Sequence, residues 1–232
     1  MDTNEILSLY NLLFSLVNMG VTSINVRKFS AAIIFSSLYV VLYFMPIGTT
    51  LVGGTGIFSL SLILPPTVGW FLGPFYGSFS MFIGSTVCLF FNPGSFFGLL
   101  TPLVPLSGAL SSGLNRRKLS FVSFSFIFFF VIFFITSYNK IWWFTIPHIL
   151  AAFSSLLYYF VGERVKIFLS SFSSTFVQHS TGTLFAILLF HLTEEYLVIS
   201  FPKMLYERSI AAFGSFLLIM VLEKYVGRKL SF

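Results

Sequence analysis

Charge is what this chain has least of. Asp2 is the only aspartate among seven acidic residues, and charged residues of both signs make up 9% of the sequence. A soluble domain of 232 residues needs far more charge to cover its surface. None of the acids falls inside the apolar runs, which argues against an aspartate-rich Mg²⁺ site and against a carboxylate proton relay within a bilayer. Cysteine is almost missing as well. Cys88 stands alone, so dithiol chemistry and an internal disulfide are excluded, and it reads as a small packing residue. H-E-x-x-H, G-x-S-x-G and a phosphate-cradling glycine loop are all absent. Neither an enzyme nor a metal or cofactor site is expected.

What the chain has in abundance is apolar length. Hydrophobic residues reach 56% and the mean hydropathy is +0.95. Runs near the ~20 residues that cross a bilayer recur from about 29 to 222. The first residues carry Asp2 and Glu5 instead of a basic start, so a cleaved signal peptide is not expected. The net charge of +6 reflects short Lys/Arg clusters at the ends of apolar runs, the pattern of cytoplasmic loops, not a nucleic-acid surface.

Parity of those clusters predicts the crossings. Arg27-Lys28 precede a span at 29–45, and Arg116-Arg117-Lys118 follow spans at 57–73, 75–91 and 97–113. Further spans are expected at 120–137, 141–160, 168–190 and 209–222, with Lys140, Lys203, Arg208 and the pair Glu194-Glu195 outside. The fold class is therefore an all-α polytopic membrane bundle of about eight transmembrane helices, with both termini cytoplasmic. Gly73-Pro74 would form a tight turn between two short helices, since proline removes a donor and glycine permits unusual backbone. One kinked helix over 65–91 is the rival. Residues 1–26 form a separate segment ahead of the bundle at 27–232. There Ser8, Asn11, Ser15 and Asn18 step by three and four, as in an amphipathic helix on the membrane surface or against the bundle, with a ninth span as the alternative.

Small residues supply the next signal. Gly69 and Gly73, then Gly77 and Gly84, share helix faces and are expected to bring helices close, because packing, not hydrophobicity, drives association in lipid. Gln178 lies mid-span on one face with Ser171, Thr175 and Gly182; it serves either as interhelical hydrogen-bond glue or as the wall of a ligand cavity. Trp142 and Trp143 stand at the outer start of a span with His148 one to two turns deeper, either belt residues or a shelf for a flat heterocycle. The loop 46–56 is rich in glycine and in hydroxyls such as Thr49 and Thr55, which can bond a ligand.

Over about residues 27–118 the chain resembles the substrate-binding S components of energy-coupling factor (ECF) vitamin transporters. The residues that carry the likeness are Arg27-Lys28 before the first span, Ala31-Ala32 and Ser36 within it, and the loop MPIGTTLVGGTG. Leu72-Gly73-Pro74 with Gly77, Gly84, and the ending LSGALSSGLNRRK complete it. The resemblance implies an S-component-like core and an outward pocket lidded by the 46–56 loop. It also implies uptake of a vitamin-like molecule powered by a transmembrane coupling subunit and ATPase subunits. Ala32 and Ser36 would dock that partner, and the sparse acids suit a prokaryotic plasma membrane. Members usually have six spans against eight here. A non-catalytic structural subunit of a larger membrane complex is the alternative.

Overall fold

The computed structural model describes residues 25–48, 58–93 and 97–225. The segment before residue 25, Thr49 and Thr55 lie outside them. The described chain is an all-α bundle: α1 (Val26–Tyr43), α2 (Leu64–Phe91), α3 (Leu103–Arg116), α4 (Ser120–Ser137), α5 (Ile146–Leu157), α6 (Glu163–Phe190) and α7 (Glu194–Tyr225). Two short antiparallel strands, β1 (Pro46–Gly48) and β2 (Phe58–Ser59), pair where α1 ends. Among the described residues, five stretches are long and apolar enough to cross a membrane: Val26–Tyr43, Leu60–Phe91, Ser120–Ser137, Asn139–Phe160 and Glu194–Tyr225.

Local chemistry sets the ends of these elements. Asn25 caps α1 by accepting from the Lys28 amide at 3.2 Å. Pro65 and Pro66 open α2, and Pro147 opens α5, where a missing N–H costs nothing. At Gly73 the backbone takes φ 81° and ψ 176°, and Pro74 follows. The two limbs of α2 fold back there: a Cβ on Gly77 would lie 2.8 Å from the Gly69 Cα. The continuous kinked helix over 65–91 is thereby replaced by a hairpin. Its first helical limb is short, preceded by a 3-10 turn over Leu60–Ile63; β2 occupies the start of the span expected at 57–73.

Glycine also seats α3 on the hairpin. A Cβ on Gly69 would collide with the Ala109 backbone, and one on Gly113 with Gly73-Pro74. Arg116 then donates to the Trp70 and Phe71 carbonyls, capping the first limb of α2, and Trp70 Nε1 donates to Glu223 of α7 at 2.8 Å. One end of the bundle thus gathers Asn25, the Gly73-Pro74 turn, Arg116–Lys118, Tyr159 and Glu223. The opposite end holds Tyr43 with Asn92, and Tyr138 with the Leu192 carbonyl.

Two apolar cores result. Ala32, Tyr39, Val68, Met81 and Ile219 belong to one, Ile127, Phe134, Phe144, Phe176 and Met204 to the other. α6 is packed against α2, α3, α4, α5 and α7. Its middle is walled in by protein, and Ser170, Ser171, Ser173, Ser174, Thr175, Gln178, Ser180, Thr181 and Thr183 are all buried along it. α7 corrects the expected span at 209–222. Helix begins at Glu194 and runs through Pro202, so Glu207 and Arg208 lie near mid-helix instead of in an external loop.

Candidate functional site

A polar cluster assembles where α5, α6 and α7 meet at mid-depth. His148 is fully buried and its Nε2 lies 3.0 Å from His179 Nδ1, so one ring nitrogen donates and the other accepts. Three phenylalanines enclose His148: Phe130 at 4.8 Å, Phe176 edge-on at 5.0 Å and Phe144 stacked at 5.9 Å between ring centroids. From α7, Arg208 Nη1 donates to the Thr175 carbonyl at 3.4 Å, and Nη2 stands 3.5 Å from Glu207 Oε2. Both side chains are about nine-tenths buried, with 8% and 10% exposed. At about 1.5 Å per residue, Arg208 lies about 21 Å from the start of α7 and about 26 Å from its end.

Arg208 and the buried polar residues of α6 are under-bonded. Arg208 Nε, Thr175 Oγ1, Ser171 Oγ, Gln178 Oε1 and Ser180 Oγ are buried and have no hydrogen-bond partner. Ser171, Thr175 and Gln178 form one stripe of α6 by their spacing of four and three. Buried polar atoms are nearly always paired, and in hydrocarbon each missing bond is costly. A charged residue at mid-span marks a site before it marks a scaffold.

The sequence-expected residues divide. Gln178 and His148 point inward, and Gln178 sits against Gly108 of α3, where an added Cβ would lie 3.1 Å from its Oε1. Trp143 is half-buried, its ring edge-on to Phe201 at 5.0 Å, and so joins the apolar wall beside the cluster. Trp142 is 53% exposed and faces outward. Ala32 and Ser36 do not form a free docking face. Both are buried within the chain: Ser80 donates to the Ala32 carbonyl at 2.7 Å, and a Cβ on Gly84 would lie 2.9 Å from the Ser36 carbonyl. An apolar groove of about 400 Å³ between α1 and α7 is lined by Leu42, Leu60, Ile63, Gly214, Leu217, Leu218 and Val221 and touches none of these residues.

Comparison with known proteins narrows little. No protein-family model matches the chain, and no solved structure matches it. It is similar to an uncharacterized protein of Methanocaldococcus jannaschii, 27% identical over 177 residues. That match takes in 69% of this chain and 59% of the relative, so the chain spans less than two thirds of the relative's length.

Glu207 and Arg208 are the residues that sequence reasoning missed, because two adjacent charges read as the end of an apolar run. A usable signal was present. Leu197, Met204, Arg208, Ala211, Ser215 and Ile219 are the buried face of α7, separated by steps of seven, four, three, four and four. Reading that period through the charges places Arg208 inside the bundle.

Proposed function

We propose that this protein is a membrane-embedded substrate-binding subunit, similar to an ECF S component, that captures a small vitamin-like molecule for uptake. One observation carries the reading: buried, unpartnered polar atoms of Gln178, Thr175 and Ser171 on α6 and of Arg208 on the adjoining α7. A scaffold gains nothing from leaving them unbonded, whereas a binding site holds such groups ready for a ligand. Each leg between the two bundle ends would cross the bilayer, eight in all, with the basic end carrying Arg116, Arg117 and Lys118 in the cytoplasm of a prokaryotic cell. Trp143 would stand at the outward mouth of the site; the loop residues Thr49 and Thr55 lie outside the described residues.

Energy would come from a coupling subunit and its ATPases. Because Ala32 and Ser36 are covered, that partner would meet the exposed side of α1, where Ile34, Leu38 and Val41 share a face. The protein, purified from its own membranes in mild detergent, is expected to carry one small molecule in near-stoichiometric amount by mass spectrometry. Protein free of any such compound, at full occupancy of native folding, contradicts the proposal.

A structural subunit of a larger complex is the second reading, favoured by the many outward phenylalanines such as Phe128, Phe129 and Phe153. It predicts stable membrane protein partners and no small molecule in the same preparation.

A further inference from the structure

Arg208 is the one charged residue among the buried described residues, and it is incompletely bonded. A guanidinium has five N–H donors. Here Nη1 and Nη2 have one contact each, both long at 3.4 and 3.5 Å, and Nε has none. Glu207 meets Arg208 through one long contact, in keeping with successive residues on a helix pointing about 100° apart. Lys203, one turn before Glu207, gives that carboxylate a second cation. What is left open is chemically specific. Nε with the neighbouring Nη forms a planar edge that matches two oxygens of a carboxylate or phosphate, which a lysine could not offer.

The surroundings add a shape. Phe201 and Met204 precede Arg208 by seven and four residues, on the same face of α7. The Phe201 ring lies 5.0 Å from Trp143 and 5.6 Å from Phe144. The Thr175 hydroxyl stands unpartnered on the residue whose carbonyl Arg208 contacts.

We infer that Arg208 anchors an oxyanion of the captured molecule, a small organic carboxylate or phosphate whose flat apolar body lies along Phe201, Trp143 and Phe144. This rests on the capture reading above. The test is the melting temperature of the full chain in detergent with benzoate, inorganic phosphate or benzamide, for wild type, Arg208→Lys and the double variant Glu207→Gln/Arg208→Met. At least one of the two anions raises the wild-type Tm, which also tells carboxylate from phosphate, and neutral benzamide does not. The double variant folds with an unliganded Tm equal to or above wild type, because a buried pair is exchanged for uncharged groups of similar size. Its half-saturating anion concentration rises about 10- to 150-fold, the worth of a hydrogen bond to a charged group. Arg208→Lys falls between.

Equal shifts with benzoate and benzamide, no shift with either anion, or an unchanged response in the double variant overturns the inference. So does collapse of the double variant, which would assign Arg208 to the scaffold. An anion response in a protein that carries no small molecule from its membranes keeps the site and removes the capture reading. A co-purified compound that the double variant retains does the reverse.

Discussion

The same helix, α6, supports two buried polar regions that differ in one respect. Towards the basic end, Asn115 of α3 donates to Ser170 and Ser173 of α6 at 3.2 and 3.0 Å and accepts from Ser123 of α4 at 2.8 Å, while Ser111 bonds Ser123 at 2.8 Å. Every side chain there has a partner. Interleaved with those serines and just beyond them, Ser171, Thr175 and Gln178 of α6, with Arg208 of α7, are equally buried and leave atoms unbonded. Burial alone therefore separates nothing. Saturation does: the Asn115 network holds three helices together, and the Arg208 cluster holds bonding capacity in reserve.

Substitutions can break or sharpen that contrast. The largest loss is expected from Gly69→Val, which forces a branched side chain into the Ala109 backbone at a contact common to both regions' scaffold. Overpacking against main chain there should exceed about 3 kcal/mol and abolish a monodisperse peak in detergent gel filtration. Asn115→Ala comes next. It strips bonds from three buried serines, and a loss of about 2–4 kcal/mol should appear as a clearly lowered Tm. Thr175→Val with Ser171→Ala should stay within about 1 kcal/mol of wild type or be more stable, since neither removed hydroxyl had a partner, yet lose the co-purified molecule. A large Tm drop in that double variant would erase the distinction between the two regions. Trp142→Ala, on an outward side chain, should change stability by no more than about 0.5 kcal/mol and leave binding intact.

The fold was legible where backbone chemistry is unambiguous. Gly73-Pro74 announces a reversal, and glycine at 69 and 77, spaced equally about it, lets the two limbs meet. The clustering of Arg116, Arg117 and Lys118 with the ends of α1 and α7 follows from the same parity that predicted the spans. Ala32 and Ser36 show the limit of a small-residue face: it says that a helix will approach, not whether that helix belongs to the same chain. Arg208 shows another limit, since hydropathy averages treat a charge as an end of membrane. Only the spacing of the residues around it reveals a continuous buried face. Gln178 was visible as a costly amide in hydrocarbon, but that its Oε1 has no partner is a fact of three-dimensional packing that no linear pattern encodes.

The most direct measurement is an experimental density map of the protein as purified from its native membranes, read at the Arg208 guanidinium and along Thr175 and Gln178. The account predicts non-protein density within hydrogen-bonding distance of Arg208 Nε and the Thr175 hydroxyl. Protein side chains closing on those atoms, with the stripe fully bonded and no foreign density beside it, would contradict the account.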